Sequence, residues 1–170
     1  MTHRGRYEYP SGAVREGQIL HGRIHGPGKY TAPGGTQVFE GQFVQNLLCG
    51  PGKEYDGDRL VYEGDFHNDS RHGKGKLMLA DGGFVMGDFR HGLPHGRVHE
   101  VRFDAQDRRV QYKGEVLRGQ WTGLGVLTDV CGEFSGGFVD GRRHGGGCQV
   151  SPSGDRLVGT WQHGALLGGG

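Results

Sequence analysis

Seven glycines at a near-constant interval constrain this chain more than any other feature. Gly17, Gly41, Gly64, Gly87, Gly114, Gly136 and Gly159 are spaced 24, 23, 23, 27, 22 and 23 residues apart. All but Gly17 lie midway between two apolar, mostly aromatic, residues. The frames are Phe39-Glu40-Gly41-Gln42-Phe43, Tyr62-Glu63-Gly64-Asp65-Phe66, Val85-Met86-Gly87-Asp88-Phe89, Tyr112-Lys113-Gly114-Glu115-Val116, Phe134-Ser135-Gly136-Gly137-Phe138 and Leu157-Val158-Gly159-Thr160-Trp161, with a weaker first copy, Arg15-Glu16-Gly17-Gln18-Ile19. Self-similarity at such a period marks a repeat architecture, in which each unit packs on its neighbours. The periodicity also decides how composition is read. With 37 glycines and 33% apolar residues, an aperiodic chain would be assigned to disorder. Glycines in register argue for order.

A second element follows each frame, of the form His-Gly-x-Gly: His25-Gly26-Pro27-Gly28, Cys49-Gly50-Pro51-Gly52, His72-Gly73-Lys74-Gly75 and His144-Gly145-Gly146-Gly147. His95-Gly96-Arg97-Val98 and Thr122-Gly123-Leu124-Gly125 are degenerate versions. Turn signals then precede the next frame at Pro33-Gly34-Gly35, Asp56-Gly57-Asp58, Asp81-Gly82-Gly83 and Ser153-Gly154-Asp155.

In a strand, residues i, i+2 and i+4 share a face. The two rings and the glycine of a frame therefore point one way, and the Glu and its polar neighbour point the other. A glycine between rings leaves a hollow over which a ring of the adjacent strand can lie. Gly26, Gly28 and Tyr30 repeat the device, as do Gly5, Tyr7 and Tyr9. Each repeat reads as one β-hairpin. Leucine-rich repeats lack support because no Leu-x-x-Leu-x-Leu core is present, and propeller blades need ~40 residues. The glycine-free stretch Arg97–Lys113 admits a helix. Its alternating Val101/Phe103 and Val110/Tyr112 pairs favour a lengthened hairpin with a loop at Asp104 to Arg108. The 27-residue spacing marks this repeat as the expected place for a kink or a specialised surface.

The pattern Tyr-Glu-Gly-x-Phe/Trp, then His-Gly-x-Gly, then Asp-Gly, resembles the MORN (membrane occupation and recognition nexus) repeat. The resemblance spans 1–170 as a single array: a partial repeat over 1–14, repeats starting near 15, 39, 62, 85, 112 and 134, and a partial repeat over 157–170. It implies an all-β fold, an elongated single-layer antiparallel meander of hairpins. Such a layer buries one face on itself and leaves the other wet or covered by a partner. Neither end carries a recognisable polar cap, so both edge strands are expected to be open to pairing, or the chain to be part of a longer array.

Several functions are disfavoured. A net charge of +1 with interleaved signs gives no nucleic-acid footprint. The N-terminus has no signal-peptide core, no stretch approaches the ~18 apolar residues of a span, and three cysteines without an export signal are expected to be reduced thiols in the cytoplasm. The histidines His25, His72, His95 and His144, with Cys49, occupy one slot of the repeat, where a role in closing the turn is expected. Stacked hairpins space that column by ~10 Å, too far for one metal ion. A site shared between two chains would draw first on Cys148 beside His144. The Gly-x-Gly elements lack the Lys-Ser/Thr and the helix of a phosphate loop. Glu16, Glu40 and Glu63 form a column on the solvated face, and no serine has a nucleophile context. The chain reads as a non-enzyme without a cofactor or metal.

The expected function is a protein-interaction scaffold that takes a partner's helix or extended segment on its sheet surface. Phe39, Phe43, Tyr62, Phe66, Phe89, Tyr112, Phe134, Phe138 and Trp161 are the candidate partner-binding ladder, and packing of the ladder itself is their competing role. The resemblance implies work in the cytoplasm at cytoskeletal, ciliary or flagellar structures, with homodimerisation as a companion expectation. The alternatives are a phosphoinositide or anionic-membrane module, for which Arg142 and Arg143 are the headgroup candidates, and a non-autonomous regulatory subunit of a larger assembly.

Overall fold

The computed structural model describes residues 2–169. Among them lie fifteen strands and no helix: β1 (His3–Glu8), β2 (Val14–Leu20), β3 (Arg23–Thr31), β4 (Gln37–Val44), β5 (Leu47–Asp56), β6 (Arg59–His67), β7 (Ser70–Met78), β8 (Phe84–Arg90), β9 (Leu93–Phe103), β10 (Arg109–Leu117), β11 (Gln120–Asp129), β12 (Gly132–Val139), β13 (Arg142–Val150), β14 (Arg156–Gln162) and β15 (Ala165–Gly169). They form one open antiparallel sheet whose strand order is chain order, a pure meander. The chain divides into two units, Met1–Met78 with Phe89–Gly92, and Leu79–Asp88 with Leu93–Gly170.

Period-two alternation sets the packing inside each unit. In β6, Tyr62 and Phe66 are buried while Glu63 between them is exposed. The first unit's core collects Ile19, Ile24, Phe43, Leu48, Tyr62, Phe66 and Phe89, with Tyr30, Phe39 and Leu77 packed against it. Tyr62 makes edge-to-face contacts with Phe66 and Phe89, each with ring centroids 5.1 Å apart. In the second unit, Tyr112 stacks on Trp121 at 4.4 Å and meets Phe138 edge-on at 5.1 Å, and Phe134 meets Trp161 at 4.9 Å. The Tyr62 hydroxyl donates to the Asp65 carbonyl (3.0 Å) and the Tyr112 hydroxyl to the Glu115 carbonyl (2.7 Å), so neither buried phenol is orphaned.

The glycines stand in a row across the strands. Gly5 pairs with Gly17, and the row continues through Gly28, Gly41, Gly52, Gly64 and Gly75. Gly114, Gly125, Gly136, Gly147 and Gly159 form its counterpart in the second unit. Rings of adjacent strands lie over these positions. A β-carbon at Gly75 would fall 2.5 Å from Tyr62 Cε2, and one at Gly147 2.5 Å from Phe134 Cε2. This is the ring-over-glycine arrangement that the frames imply.

Two kinds of turn join the strands. Within a repeat the loop is two residues long with both φ positive, as at His21 (48°) and Gly22 (74°), Gln45 (49°) and Asn46 (77°), or Arg118 (50°) and Gly119 (78°). This is the mirror-image turn whose twist matches that of the strands. After the first of them, these turns also reach back one repeat. The Asn46 amide donates to the Ile24 carbonyl (2.9 Å), that of Gly119 to Pro94 (2.9 Å) and that of Gly164 to Arg143 (2.8 Å). Where Asn46 and Asp69 stand in place of glycine, their side-chain oxygens accept a second bond, from the amides of Ile24 (2.9 Å) and Leu48 (2.7 Å). Between repeats the turns at Pro33-Gly34-Gly35, Asp81-Gly82-Gly83 and Ser153-Gly154-Asp155 are wider, whereas Asp56 and Arg59, and Asp129 and Gly132, are joined by two residues.

The expectation that the His-Gly pair closes a turn is corrected. In β7, Gly75 pairs with Gly64 and Arg71 with Phe66, so His72, Gly73 and Lys74 together oppose Asp65 alone. The same bulge puts His25, Gly26 and Pro27 opposite Gln18, and His144, Gly145 and Gly146 opposite Gly137. Gly73 and Gly145 carry the left-handed φ, 69° and 81°, that the bulge demands. The motif therefore encodes a bulge inside the second strand of the hairpin. The glycine-free stretch is a hairpin, β9 to β10, with residues 104–108 as its loop. Asp104 Oδ1 accepts from the amides of Gln106 (2.9 Å) and Arg108 (3.0 Å) to hold that loop.

Candidate interaction surface

Each strand sends one set of side chains to an aromatic face, where rings lie over the glycines, and the other set to the opposite face. On the aromatic face, Phe43, Tyr62, Phe66, Phe89, Tyr112, Phe134, Phe138 and Trp161 are each 3% exposed or less. They pack the ladder. Phe39 is half-buried and stacks on Tyr30 at 6.2 Å. Beside them Tyr7 and Tyr9, at 46% and 40% exposure, leave ring surface open in the first unit.

Three arginines lie over rings of this face. Arg71 is 5.3 Å from the Tyr62 centroid, Arg143 is 5.5 Å from that of Phe134, and Arg15 is 5.0 Å from that of Tyr30. Their acceptors differ. Arg71 donates through Nε (2.9 Å) and Nη2 (2.7 Å) to Glu54 Oε2, Arg143 Nη1 to Gln149 Oε1 (3.0 Å), and Arg15 Nη1 to the Asn46 carbonyl (2.5 Å). Among the described residues, Glu54 and Glu100 are the two buried carboxylates, and they occupy the same place, opposite Tyr62 and Tyr112. Glu100 accepts from the Trp121 indole (3.0 Å) and from Arg102. Burial drives the phenols of Tyr62 and Tyr112 up to about 12, aided by the nearby charges of Asp65 and Glu115 respectively.

Neither buried glutamate belongs to the repeat column of Glu16, Glu40 and Glu63 that the sequence displays. A usable signal exists: Gly50, Gly52 and Glu54 fall at i, i+2 and i+4, which puts the carboxylate on the glycine and ring side. Arg142 and Arg143, grouped in the sequence as one basic pair, are successive residues of β13. Arg143 pairs with Phe138 and joins the aromatic face, while Arg142 pairs with the exposed Val139, so their side chains leave opposite sides of the strand.

The other face differs between the units. In the first, a row crossing seven strands reads Arg6, Glu16, Lys29, Glu40, Lys53, Glu63, Lys76. Ion pairs link Arg6 to Glu16 (3.5 Å), Lys29 to Glu40 (3.5 Å) and Lys53 to Glu63 (3.3 Å). In the second, the corresponding row is Lys113, Val126, Ser135, Cys148, Val158. It flanks a trough of about 560 Å³ floored by Gly114, Gly125, Gly136 and Gly147 and bordered by Leu124, which is 70% exposed. Among the described residues, no three His, Cys, Asp or Glu side chains are gathered as a metal site requires. His144 packs on His163 at 5.3 Å, and the Cys148 thiol is contacted by Arg156 at 3.6 Å.

The model of the MORN repeat matches six segments of the chain, residues 16–37, 39–59, 62–84, 86–97, 112–130 and 134–156. No curated protein matches the chain. With those segments covering well over half of its residues, and with the ring, glycine and bulge positions falling in register in strand after strand, the chain belongs to the MORN repeat family.

Proposed function

We propose that this protein is a non-catalytic interaction scaffold that receives a helix or extended segment of another protein on its aromatic face. MORN repeats are commonly scaffolds for protein or membrane interactions, and the proposal selects the protein partner. The observation that carries it is the state of the aromatic face in the first unit. The inner rings are consumed in packing, yet Tyr7, Tyr9, Tyr30 and Phe39 keep open surface around Arg15. Tyrosine and arginine clustered around a buried apolar core have the composition of interaction hot spots. The inner rings of the ladder then act indirectly, by fixing the shape of the surface.

The setting we propose is the cytoplasm, at a cytoskeletal, ciliary or flagellar framework, with self-association as a companion property. Support for this setting comes from the family alone. The test is to follow the tagged protein through extraction with a non-ionic detergent. Retention on an insoluble framework is the expected result, and full release together with membrane lipid would turn the reading towards membranes. Light scattering on the purified chain decides whether it self-associates.

A further inference from the structure

Arg15 stands where every other frame has an apolar residue. The equivalent positions are Phe39, Tyr62, Val85, Tyr112, Phe134 and Leu157. It pairs across the sheet with Tyr7 on one side and Tyr30 on the other. Its guanidinium lies 5.0 Å from the Tyr30 centroid and 5.9 Å from that of Tyr9. Stacking fixes the plane of the fork, and one donor is spent on the Asn46 carbonyl. Among the described residues no carboxylate lies within ion-pair distance of it.

The chain itself shows what such an arginine accepts. Arg71, stacked on Tyr62 on the same face of the same unit, holds the Glu54 carboxylate with two donors. Arg15 has the same ring support and lacks the carboxylate. Arg15 lines a hollow of about 160 Å³ together with Tyr30, Phe39, Phe43, Asn46, Leu48 and Asp69. The Asp69 Oδ1 atom is committed to the Leu48 amide at 2.7 Å. Four of the side chains around the hollow, Tyr30, Phe39, Phe43 and Leu48, are aromatic or aliphatic, and its volume suits one aliphatic side chain.

We infer that Arg15 is the carboxylate anchor of a partner-binding site that takes an acidic residue adjoining an aliphatic one in an extended peptide segment. The inference rests on the scaffold reading above and names the chemistry of the partner. A peptide is favoured over a lipid headgroup on two counts. The mostly apolar wall beside the guanidinium has no counterpart in a phosphate, and a dianionic phosphate would bring to Asp69 twice the charge that a carboxylate does.

The test pans short random peptides displayed on phage against the full chain, then measures affinities of synthetic hits by fluorescence anisotropy. Hits carrying Asp or Glu beside Leu, Ile or Val are expected. Each should lose about tenfold in affinity against Arg15→Gln, the scale of a charge-assisted fork, and less against Arg15→Lys. Changing the acidic residue of the peptide to its amide should cost the same on the unaltered protein, which needs no protein variant to fold. Loss from the peptide change should also vanish in Arg15→Gln, since the two changes remove one contact. Hits without acid, or hits indifferent to both changes, overturn the assignment of Arg15 while leaving the scaffold reading intact. Failure to select any peptide overturns both. Flotation with phosphatidylcholine and phosphatidylserine vesicles that Arg15→Gln abolishes, with no acidic hit, reassigns the arginine to lipid.

Discussion

Gly75→Ala tests the ring-over-glycine packing directly. A β-carbon at this position falls 2.5 Å from Tyr62 Cε2 and overlaps other atoms of the same ring. Tyr62 is fully buried between Phe66 and Phe89, so the ring has no free direction in which to yield. Overpacking of this kind costs about 1–3 kcal/mol. Any tilt of the ring also strains the hydroxyl's bond to the Asp65 carbonyl, which adds about 1 kcal/mol. The sum is about 2–4 kcal/mol, or a fall of roughly 4–16 °C in Tm for a chain of this size. The control is Gly146→Ala, in another copy of the same motif, where an added β-carbon meets nothing within 4 Å and φ is not left-handed. It should stay within about 0.5 kcal/mol of the unaltered chain. Urea and thermal unfolding followed by tyrosine fluorescence and far-ultraviolet circular dichroism read both variants. A further check is Tyr62→Leu, which vacates the space and should make Gly75→Ala far less costly in that background. If Gly75→Ala and Gly146→Ala unfold alike, the rings do not depend on the glycines and the packing argument is wrong.

Glu54→Leu should cost about 3 kcal/mol by stranding the mostly buried Arg71, and Glu54→Leu with Arg71→Met should recover most of that loss; additive costs in urea unfolding would refute the pairing. Two of the six tyrosines, Tyr62 and Tyr112, should ionise only near pH 12 in a spectrophotometric titration of the folded chain. Because their folded pKa values lie above the unfolded one, the stability they contribute is full below pH 10 and should be lost as pH rises from there through 12. All six titrating together at pH 10 in the folded chain would contradict the burial. The amide of Phe103 donates to Asp81 at 3.0 Å and, with that of Gly83, lowers its pKa below the ordinary 3.8. Its stabilising effect is present above that value and lost as pH falls through the depressed one. Asp81→Asn should therefore lower the unfolding midpoint at pH 6 and approach the unaltered chain at pH 2.

What the sequence made legible was whatever depends on one strand at a time. Tyr62, Gly64 and Phe66 announce their common face through a spacing of two, and Val101/Phe103 with Val110/Tyr112 announce a hairpin in the same way. The bulge was hidden because it belongs to a pair of strands. Nothing in His72-Gly73-Lys74 alone says that three residues will face Asp65, and only the pairing of Gly64 with Gly75 shows it. The two-residue turns at Gln45-Asn46 and Asn68-Asp69 were hidden for another reason. They lack the glycine that advertises such a turn, and Asn46 and Asp69 are chosen for bonds made to the preceding repeat. Arg15 was visible as a departure from the frame, but its meaning needed the rings around it. The candidate ladder was legible as a set of residues, whereas its near-complete burial follows from rings of neighbouring strands closing over one another.

The backward reach of the tight turns, one amide to a carbonyl of the repeat before, has an evolutionary corollary. In the first unit the joints β3–β4 and β5–β6 use matching partners, glycine opposite glycine and lysine opposite glutamate. Excising residues 39–61 would bring Tyr62 to the place Phe39 holds against Tyr30, Glu63 to that of Glu40 against Lys29, and Gly64 to that of Gly41 against Gly28. A gene that gains or loses a whole repeat by unequal recombination thus passes between chains whose joints are already compatible. The number of repeats is a quantity that selection can adjust at such a joint without redesigning its contacts, and spacings that run from 22 to 27 residues show that the period itself tolerates changes in length.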